Sequence, residues 1–202
     1  MKNFAAYLLL ILFSIAPVSA QNAQQARTML DKIAKTIGRS GGASASFTMS
    51  NSSGNVSGTI YIKGKKFHAR TSEAIVWYNG KTQWTYMKKN DEVNVSNPTQ
   101  AQQQLMNPYT FINIYKSGYN LSMKAKGNNQ EIHLVARDKK HGIPELYITA
   151  NKKTCIPTVV KMKHNQKWTT ITIRNFSAKN VSDNVFTFKA KDYPSAEIID
   201  LR

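Results

Sequence analysis

The sequence predicts a mainly β fold with a few helices: an open antiparallel half-barrel of about ten to eleven strands, covered by a helical lid. From residue 43 onward, apolar side chains recur at every second position in run after run, which is typical of strands with one apolar face. Turn sequences such as Asn79-Gly80 and Gly127-Asn128-Asn129 separate the runs. A sheet of this length must curl, and few helical segments are available to cover its apolar face. A closed barrel with a packed core is the alternative.

The N-terminal residues have the three-part composition of a secretory signal peptide. Lys2 supplies a positive charge, residues 4–15 are almost entirely apolar, and Val18-Ser19-Ala20 ends in the small residues that precede a cleavage site. We therefore expect residues 1–20 to be a cleaved signal peptide and residues 21–202 to form a single domain.

Two segments outside the strands have clear helical patterns. The first predicts an amphipathic helix whose apolar face lies on the sheet, and its apolar positions are Ala26, Met29, Leu30, Ile33, Ala34 and Ile37. The second begins at Asn107-Pro108, because Asn is a good N-cap and Pro suits the first helical turn, and it continues with apolar residues to Tyr115. A short helix is also expected at residues 100–105.

The alternating runs predict the strands themselves. They include residues 43–49, 56–62, 119–125, 132–136, 160–162 and 171–173. A further strand is predicted at Phe186-Thr-Phe188, followed by a turn at Pro194 and a closing apolar pair, Ile198-Ile199. The segments between these runs have the composition of tight turns.

The chain is strongly basic, with 28 Lys and Arg residues against 11 Asp and Glu residues and a net charge of +17. Such a charge favours an anionic partner, and for an exported protein a membrane surface or an anionic amphiphile fits better than nucleic acid. We therefore expect no nucleic-acid partner. The densest basic surface group is Lys63, Lys65, Lys66 and Arg70. The alternative for these residues is an ordinary solvated strand face.

No catalytic or metal-binding pattern stands out. The four histidines, His68, His133, His141 and His164, lack metal-ligand spacing, and the chain has no Gly-x-Ser-x-Gly sequence or phosphate-binding Gly loop. The carboxylates form no recognisable acid–base pair. Cys155 is the single cysteine, so no internal disulfide is possible. We expect no catalytic residues, no metal and no cofactor.

Five stretches, in this order along the chain, carry a family resemblance. They are residues 24–49, the strand pair Gly58-Thr-Ile60-Tyr-Ile62-Lys63 and Lys66-Phe67, the hairpin Tyr78-Asn79-Gly80-Lys81-Thr82-Gln83-Trp84-Thr85-Tyr86, the apolar segment 108–114, and the closing segment 186–200. Together they resemble the bacterial outer-membrane lipoprotein carriers of the LolA and LolB type. One departure is Gly64, where the family has an Arg that helps to hold the lid closed.

The resemblance implies a periplasmic carrier that binds acyl chains of lipoproteins in an apolar cavity and ferries them toward the outer membrane. It also implies an inner-membrane release complex and an outer-membrane acceptor as partners, and we expect the carrier to be a monomer. Two alternatives stay open. One is a carrier or receptor for another amphiphile, such as a glycolipid or a polyketide-like lipid. The other is a lipid-modifying enzyme on the same scaffold.

A carrier of this kind needs a concave apolar face and a movable cover. The predicted cavity residues are Phe47, Met49, Ile60, Ile62, Trp84, Tyr86, Met87, Leu121 and Met123. The predicted lid residues are Met29, Leu30 and Ile33 on the first helix and Tyr109, Phe111, Ile112 and Tyr115 on the second. The competing interpretation is that these side chains form an ordinary packed core, since Met and aromatic residues at strand spacing usually do.

Overall fold

A computed structural model describes residues 18–99, 102–103, 113–138 and 141–202. Within this part of the chain lie one α-helix, three short 3-10 helices and twelve strands. The helix α1 spans Val18–Ile37, and the 3-10 helices span Ile114–Lys116, Asp183–Phe186 and Ala190–Asp192. The strands are β1 (Ala43–Asn51), β2 (Gly54–Lys63), β3 (Lys66–Thr71), β4 (Ala74–Tyr78), β5 (Gln83–Met87), β6 (Glu92–Ser96), β7 (Tyr119–Lys126), β8 (Asn129–Ala136), β9 (Glu145–Asn151), β10 (Pro157–His164), β11 (Lys167–Ser177) and β12 (Glu197–Asp200).

All twelve strands belong to one open sheet, in the order β12-β6-β5-β4-β3-β2-β1-β11-β10-β9-β8-β7. Two antiparallel meanders, β1 to β6 and β7 to β11, are joined where β1 pairs with β11, with Phe47 opposite Ile173. The strand β12 alone among them pairs in parallel, alongside β6. Because β7 and β12 do not pair with each other, the sheet is not closed. The predicted open half-barrel is confirmed, and the closed barrel is excluded.

The helix α1 packs on one face of the sheet, which we call the inner face. Its residues Leu30 and Ile33 lie in the main core with Ile132, Leu134 and Leu146, and each of these five side chains is at most 1% exposed. The helix begins at Val18, several residues before the predicted start at residue 24, so Val18-Ser19-Ala20 forms its first residues. None of the helices in the described part of the chain is long and apolar enough to cross a membrane.

Polar contacts fix α1 to strand β7 and to the 3-10 helix Ile114–Lys116. The Asn22 side-chain amide bonds to the backbone of Met123 in both directions, donating to its carbonyl over 2.8 Å and accepting from its N–H over 2.6 Å. Further along the helix, the Tyr115 hydroxyl donates to the Asp31 carboxylate. Burial, together with this hydrogen bond, raises the pKa of Tyr115, so the hydroxyl stays protonated and keeps donating.

The C-terminal residues cover the opposite face of the sheet, which we call the outer face, at strands β3 to β6. Phe186 is fully buried there, and Ile75, Trp77, Val93 and Val95 are also buried. The prediction of a strand at Phe186-Thr-Phe188 is wrong, because Asp183–Phe186 forms a 3-10 helix instead. The Ser182 side chain accepts from the Asn184 N–H and caps that helix, which turns the two Phe side chains toward the sheet.

Candidate functional site

An apolar cavity of about 300 Å³ lies along the inner face of the middle strands, and we call it the trough. One wall is α1, and the floor is made by strands β9, β10, β11, β1, β2 and β3. Its lining residues are Leu30, Ile33, Ile37, Ala43, Ser44, Ala45, Phe47, Met49, Ile60, Ile62, Phe67, Ala69, Thr71, Ile148, Pro157, Val160, Met162, Ile171, Ile173 and Phe176. No charged side chain belongs to this described lining, and its only side-chain polar groups are the hydroxyls of Ser44 and Thr71.

The strand register explains why the trough is continuous. Phe47 lies opposite Ile173, and Met49 lies opposite Ile171, which in turn lies opposite Val160 on the next strand. Since residues directly opposite each other point to the same face, the apolar rows of six strands, β9 included, merge into one surface. Most of these middle-strand side chains are half-buried, in contrast to the fully buried residues under α1. The described residues therefore leave a contiguous apolar surface with incomplete cover, which is typical of a ligand site.

A close approach at Gly58 shapes the floor of the trough. Gly58 lies opposite Phe47, and a Cβ at this position would lie 2.9 Å from the Phe47 ring and 2.2 Å from the Arg70 carbonyl oxygen. The missing side chain lets the ring sit over the neighbouring strand, an arrangement known from other antiparallel sheets. A larger residue at position 58 would push the Phe47 ring out of its present place.

The structure places the predicted cavity residues in three locations. Phe47, Met49, Ile60 and Ile62 line the trough. Leu121 and Met123 face the same side of the sheet, but they lie on β7 at the edge and pack against the main core beside α1. Met87, at the end of β5, is 36% exposed and is not part of the lining.

Trp84 and Tyr86 lie on the outer face, away from the trough, although the sequence predicts them in the cavity. Trp84 is opposite Trp77, and the Tyr86 ring contacts the Tyr193 ring with centroids 4.7 Å apart. The Tyr86 hydroxyl donates to the Asp91 carboxylate, and this hydrogen bond raises the pKa of Tyr86. The prediction for Trp84 and Tyr86 is wrong because alternation separates the two faces of a strand but does not show which face lines the cavity.

The predicted lid residues are also divided. Leu30 and Ile33 form part of the trough wall, while Met29 is buried beside Cys155, with 4.0 Å between their sulfur atoms. Tyr115 is 1% exposed and is held by Asp31, so it belongs to the core. Tyr109, Phe111 and Ile112 lie outside the described residues. Hydrogen bonds to Met123 and Tyr115 and packing in the main core hold α1 in place, so in this structure it is a wall of the trough.

Fourteen of the twenty lining residues are not among the predicted cavity or lid residues. Six of them lie on β10 and β11, and they are Pro157, Val160, Met162, Ile171, Ile173 and Phe176. Their alternation is visible in the sequence, and it predicts strands correctly. What the sequence does not show is that the last long strand, β11, returns to pair with the first, β1. This long-range pairing places the two apolar rows side by side.

Two members of the predicted basic surface group hold the C-terminal segment. The Lys63 and Lys66 ammonium groups lie 3.1 and 2.9 Å from the Asp183 carboxylate, and Lys63 also donates to the Val181 carbonyl. The hydrogen bonds from Lys66 and Lys63 hold the pKa of Asp183 below its usual value. Arg70 is exposed on the outer face. In the described part of the chain, no group of three or more His, Cys, Asp or Glu residues is arranged to hold a metal ion.

Comparison with known proteins gives one family match and several structural matches. Residues 17–166 match the family model described as outer membrane lipoprotein carrier protein LolA. No match was found among curated protein sequences.

The fold is similar to that of an uncharacterised conserved protein from Thermus thermophilus, with a TM-score of 0.60, 13% identity, and coverage of 88% of this chain and 99% of that one. It is also similar to MucB, with a TM-score of 0.50, 10% identity, and coverage of 83% and 64% of the two chains. A LolA superfamily protein from Nitrosomonas europaea matches with a TM-score of 0.46, 10% identity, and coverage of 81% and 97%. At these identities the first two matches concern the fold alone.

Proposed function

The chain belongs to the family of outer-membrane lipoprotein carriers, and from that membership we propose that it binds the acyl chains of lipoproteins in the trough and ferries them through the periplasm toward the outer membrane. Its site of action follows from the proposed signal peptide over residues 1–20. The donor would be an inner-membrane release complex and the acceptor an outer-membrane protein. Carriage, and no chemical conversion of the cargo, is the proposed activity.

The observation that carries this proposal is the chemistry of the trough. It is apolar across six strands, has no charged side chain in its described lining, and is only partly covered by the described residues. Each methylene removed from water contributes about 0.8 kcal/mol, so an acyl chain of about sixteen carbons gains on the order of 10 kcal/mol on entering such a site. A half-open site also allows the chain to leave again, as transfer to an acceptor requires.

The same lining supports a second candidate, a carrier for another acylated amphiphile. Because the trough offers only two hydroxyl groups, Ser44 and Thr71, it recognises hydrocarbon and gives little selection among head groups. A glycolipid with similar chains would be held by the same residues. The identity of a naturally bound lipid separates the two candidates.

A pair of charge substitutions on adjacent residues tests the proposal. Ile171 faces the trough and Thr172 faces the outer side of the same strand, so Ile171→Asp places a carboxylate in the site and Thr172→Asp places the same charge outside it. We expect Ile171→Asp to weaken binding of a fluorescent sixteen-carbon fatty acid by more than about tenfold, since burying a charge opposes the transfer of hydrocarbon. Thr172→Asp should bind as the wild type does.

Native mass spectrometry of the protein isolated gently from a periplasm, followed by organic extraction, identifies the cargo. A triacylated peptide supports lipoprotein carriage, whereas a glycolipid or free phospholipid supports the second candidate. A mass without lipid, together with no uptake of the fatty-acid probe by the wild type, would sink both. Far-UV circular dichroism of each variant checks that a lost signal reflects the site and not unfolding.

A further inference from the structure

A second concave surface, unrelated to the trough, lies on the outer face of strands β7 to β11. It is a groove of about 540 Å³, which we call the outer groove. The residues that argue for its role are Lys124, Lys126, Glu131, Tyr147, Lys161 and Trp168. The trough lies behind it, because Ile148 beside Tyr147 points to the inner face. A ligand of the outer groove is therefore separate from the acyl cargo.

The outer groove has a rigid aromatic centre. Tyr147 stacks on His133 with ring centroids 4.2 Å apart and an interplanar angle of 2°. Its hydroxyl donates to Glu145 over 3.0 Å, which fixes the ring orientation. The Trp168 ring lies 5.9 Å from Tyr147. Half-buried aromatic side chains held by such contacts lose little entropy on binding, and they are frequent anchors of protein interfaces.

Lysines surround this centre on both sides. Lys161 Nζ lies 4.5 Å from the centroid of the Trp168 ring, close enough for a cation–π contact. On the far side, Lys124 and Lys126 bind Glu131 over 3.0 and 2.8 Å. Three lysines thus face a single carboxylate among the residues that line the outer groove, and it has a net positive charge.

Glu131 competes with any incoming carboxylate for Lys124 and Lys126, because it already binds both ammonium groups. The two lysine side chains are 72% and 60% exposed, whereas the Glu131 side chain is 12% exposed. The hydrogen bonds from Lys126 and Lys124 lower the pKa of Glu131, so the carboxylate is ionised at neutral pH. An incoming carboxylate can approach the exposed ammonium groups from solvent without displacing the backbone.

We propose that the outer groove docks an extended acidic segment of a partner protein. The Lys124 and Lys126 ammonium groups converge on the single carboxylate of Glu131, so they can bind one incoming carboxylate in the same way. Lys161 is on β10, three strands from β7, which is about 14 Å across the sheet. One carboxylate of the segment contacts the lysine pair, and another contacts Lys161. The segment crosses the Tyr147 and Trp168 rings between these charges.

A membrane surface fits this groove less well than a peptide does. Anchoring to a bilayer uses a protruding Trp whose ring enters the head-group region. Trp168 is instead half-buried, and the Lys161 ammonium group covers its ring. The surface around it is a recess, which excludes close contact with a flat bilayer.

The test uses a ten-residue peptide with Glu at alternate positions, labelled for fluorescence anisotropy, and the same peptide with Gln in place of Glu. We expect the Glu peptide to bind more tightly at low salt and the preference to shrink as salt screens the charges. The groove variant is Lys124→Gln with Lys126→Gln and Lys161→Gln. Removal of three ion pairs of about 0.5 kcal/mol each corresponds to roughly tenfold weaker binding. The control variant, Lys81→Gln with Lys89→Gln and Lys152→Gln, loses the same charge from exposed sites outside the groove.

Glu131→Gln supplies a measurement that does not depend on removing lysines. It frees Lys124 and Lys126 from their internal partner, so it should raise the affinity for the Glu peptide. Equal binding of the two peptides overturns the proposal, as does equal loss in the groove and control variants or an unchanged affinity in Glu131→Gln. Binding of vesicles with 30% phosphatidylglycerol, lost in the groove variant and not displaced by the Glu peptide, would assign the surface to membrane contact instead. Fatty-acid uptake should be the same in all these proteins, so this result is independent of the proposed carriage.

Discussion

The two ends of the sheet bury opposite faces. At strands β7 to β9 the inner face is the core, with Ile132 and Leu134 fully buried under α1, and the outer face carries charged residues such as Glu131. At strands β5 and β6 the outer face is the core, with Val93 buried opposite Tyr86, whose ring contacts Tyr193, and the inner face carries polar residues such as Asn94. The covering segment, and not the strand itself, therefore decides which face of an alternating strand becomes the core.

The region between these ends explains the trough. A twenty-residue helix is about 30 Å long, whereas twelve strands spaced about 4.8 Å apart extend over roughly 53 Å of curved sheet. The helix α1 therefore cannot cover the whole inner face, and the C-terminal segment covers the outer one. Within the described part of the chain, the apolar inner residues of the middle strands have only partial cover, and this is where the trough lies.

The first prediction asks whether the outer core is as important as the inner one. Phe186 is fully buried at the outer core, so Phe186→Ala should lower the free energy of unfolding by about 3–5 kcal/mol, as for other buried Phe residues. Urea unfolding measures the change. Phe188→Ala, at a half-buried position in the same segment, should have a smaller effect. A loss below about 1 kcal/mol for Phe186→Ala would mean that only the inner core stabilises the sheet.

The second prediction concerns the attachment of α1 at the other end. Asn22→Ala removes both hydrogen bonds to Met123 and leaves its backbone groups without this partner, which should lower stability by about 1–3 kcal/mol. Hydrogen exchange of the Met123 amide should become faster. Gln25→Ala, an exposed substitution on the same helix, is the control. Unchanged exchange at Met123 would show that α1 is held by its apolar face alone.

The third prediction uses a histidine of the outer face. His68 lies between the rings of Tyr61 and Trp77. Burial lowers its pKa below the ordinary value of 6.5. The hydrogen bond to the Val76 carbonyl acts in the opposite direction, and the nearby charge of Arg70 lowers the pKa by a smaller amount. The unfolded chain thus takes up a proton at a higher pH than the folded one, and stability falls as the pH drops below about 6.5.

Urea unfolding at pH 7.5 and 5.5 checks this direction. His68→Gln removes the titrating group, so its stability should fall less between the two pH values than that of the wild type. The same pH dependence in both proteins would contradict a buried, neutral His68. This is the smallest of the three effects, because a single partly screened group carries it.

The sequence predicted the open sheet and part of the trough for clear physical reasons. Strand alternation has a period of two that local residues determine, so Phe47, Met49, Ile60 and Ile62 could be assigned to one face of β1 and β2. The pattern of Trp84 and Tyr86 is equally regular, but the face it serves depends on Phe188 and Tyr193, about a hundred residues later. The local sequence around Trp84 and Tyr86 does not show that a distant C-terminal segment packs on them.

The contribution of β11 to the trough could not be predicted from the sequence for a related reason. Its pairing with β1 joins residues more than a hundred positions apart, and neither strand contains a turn that specifies the partner. The Phe186 segment was predicted as a strand because two Phe residues alternate with Thr. The structure instead has a 3-10 helix over Asp183–Phe186, capped by the Ser182 side chain.

The side chain of Asn22 has a meaning beyond holding a helix. An Asn amide is chemically a peptide group, and at β7 it occupies the place where the backbone of a thirteenth strand would bond. At the opposite margin, β12 is only four residues long and has the charged Glu197 and Asp200 at its ends. Unpaired strand margins are the usual starting points of fibrous assembly. Both edge strands of this wide sheet, which has an exposed apolar surface, therefore carry features that oppose edge-to-edge polymerisation.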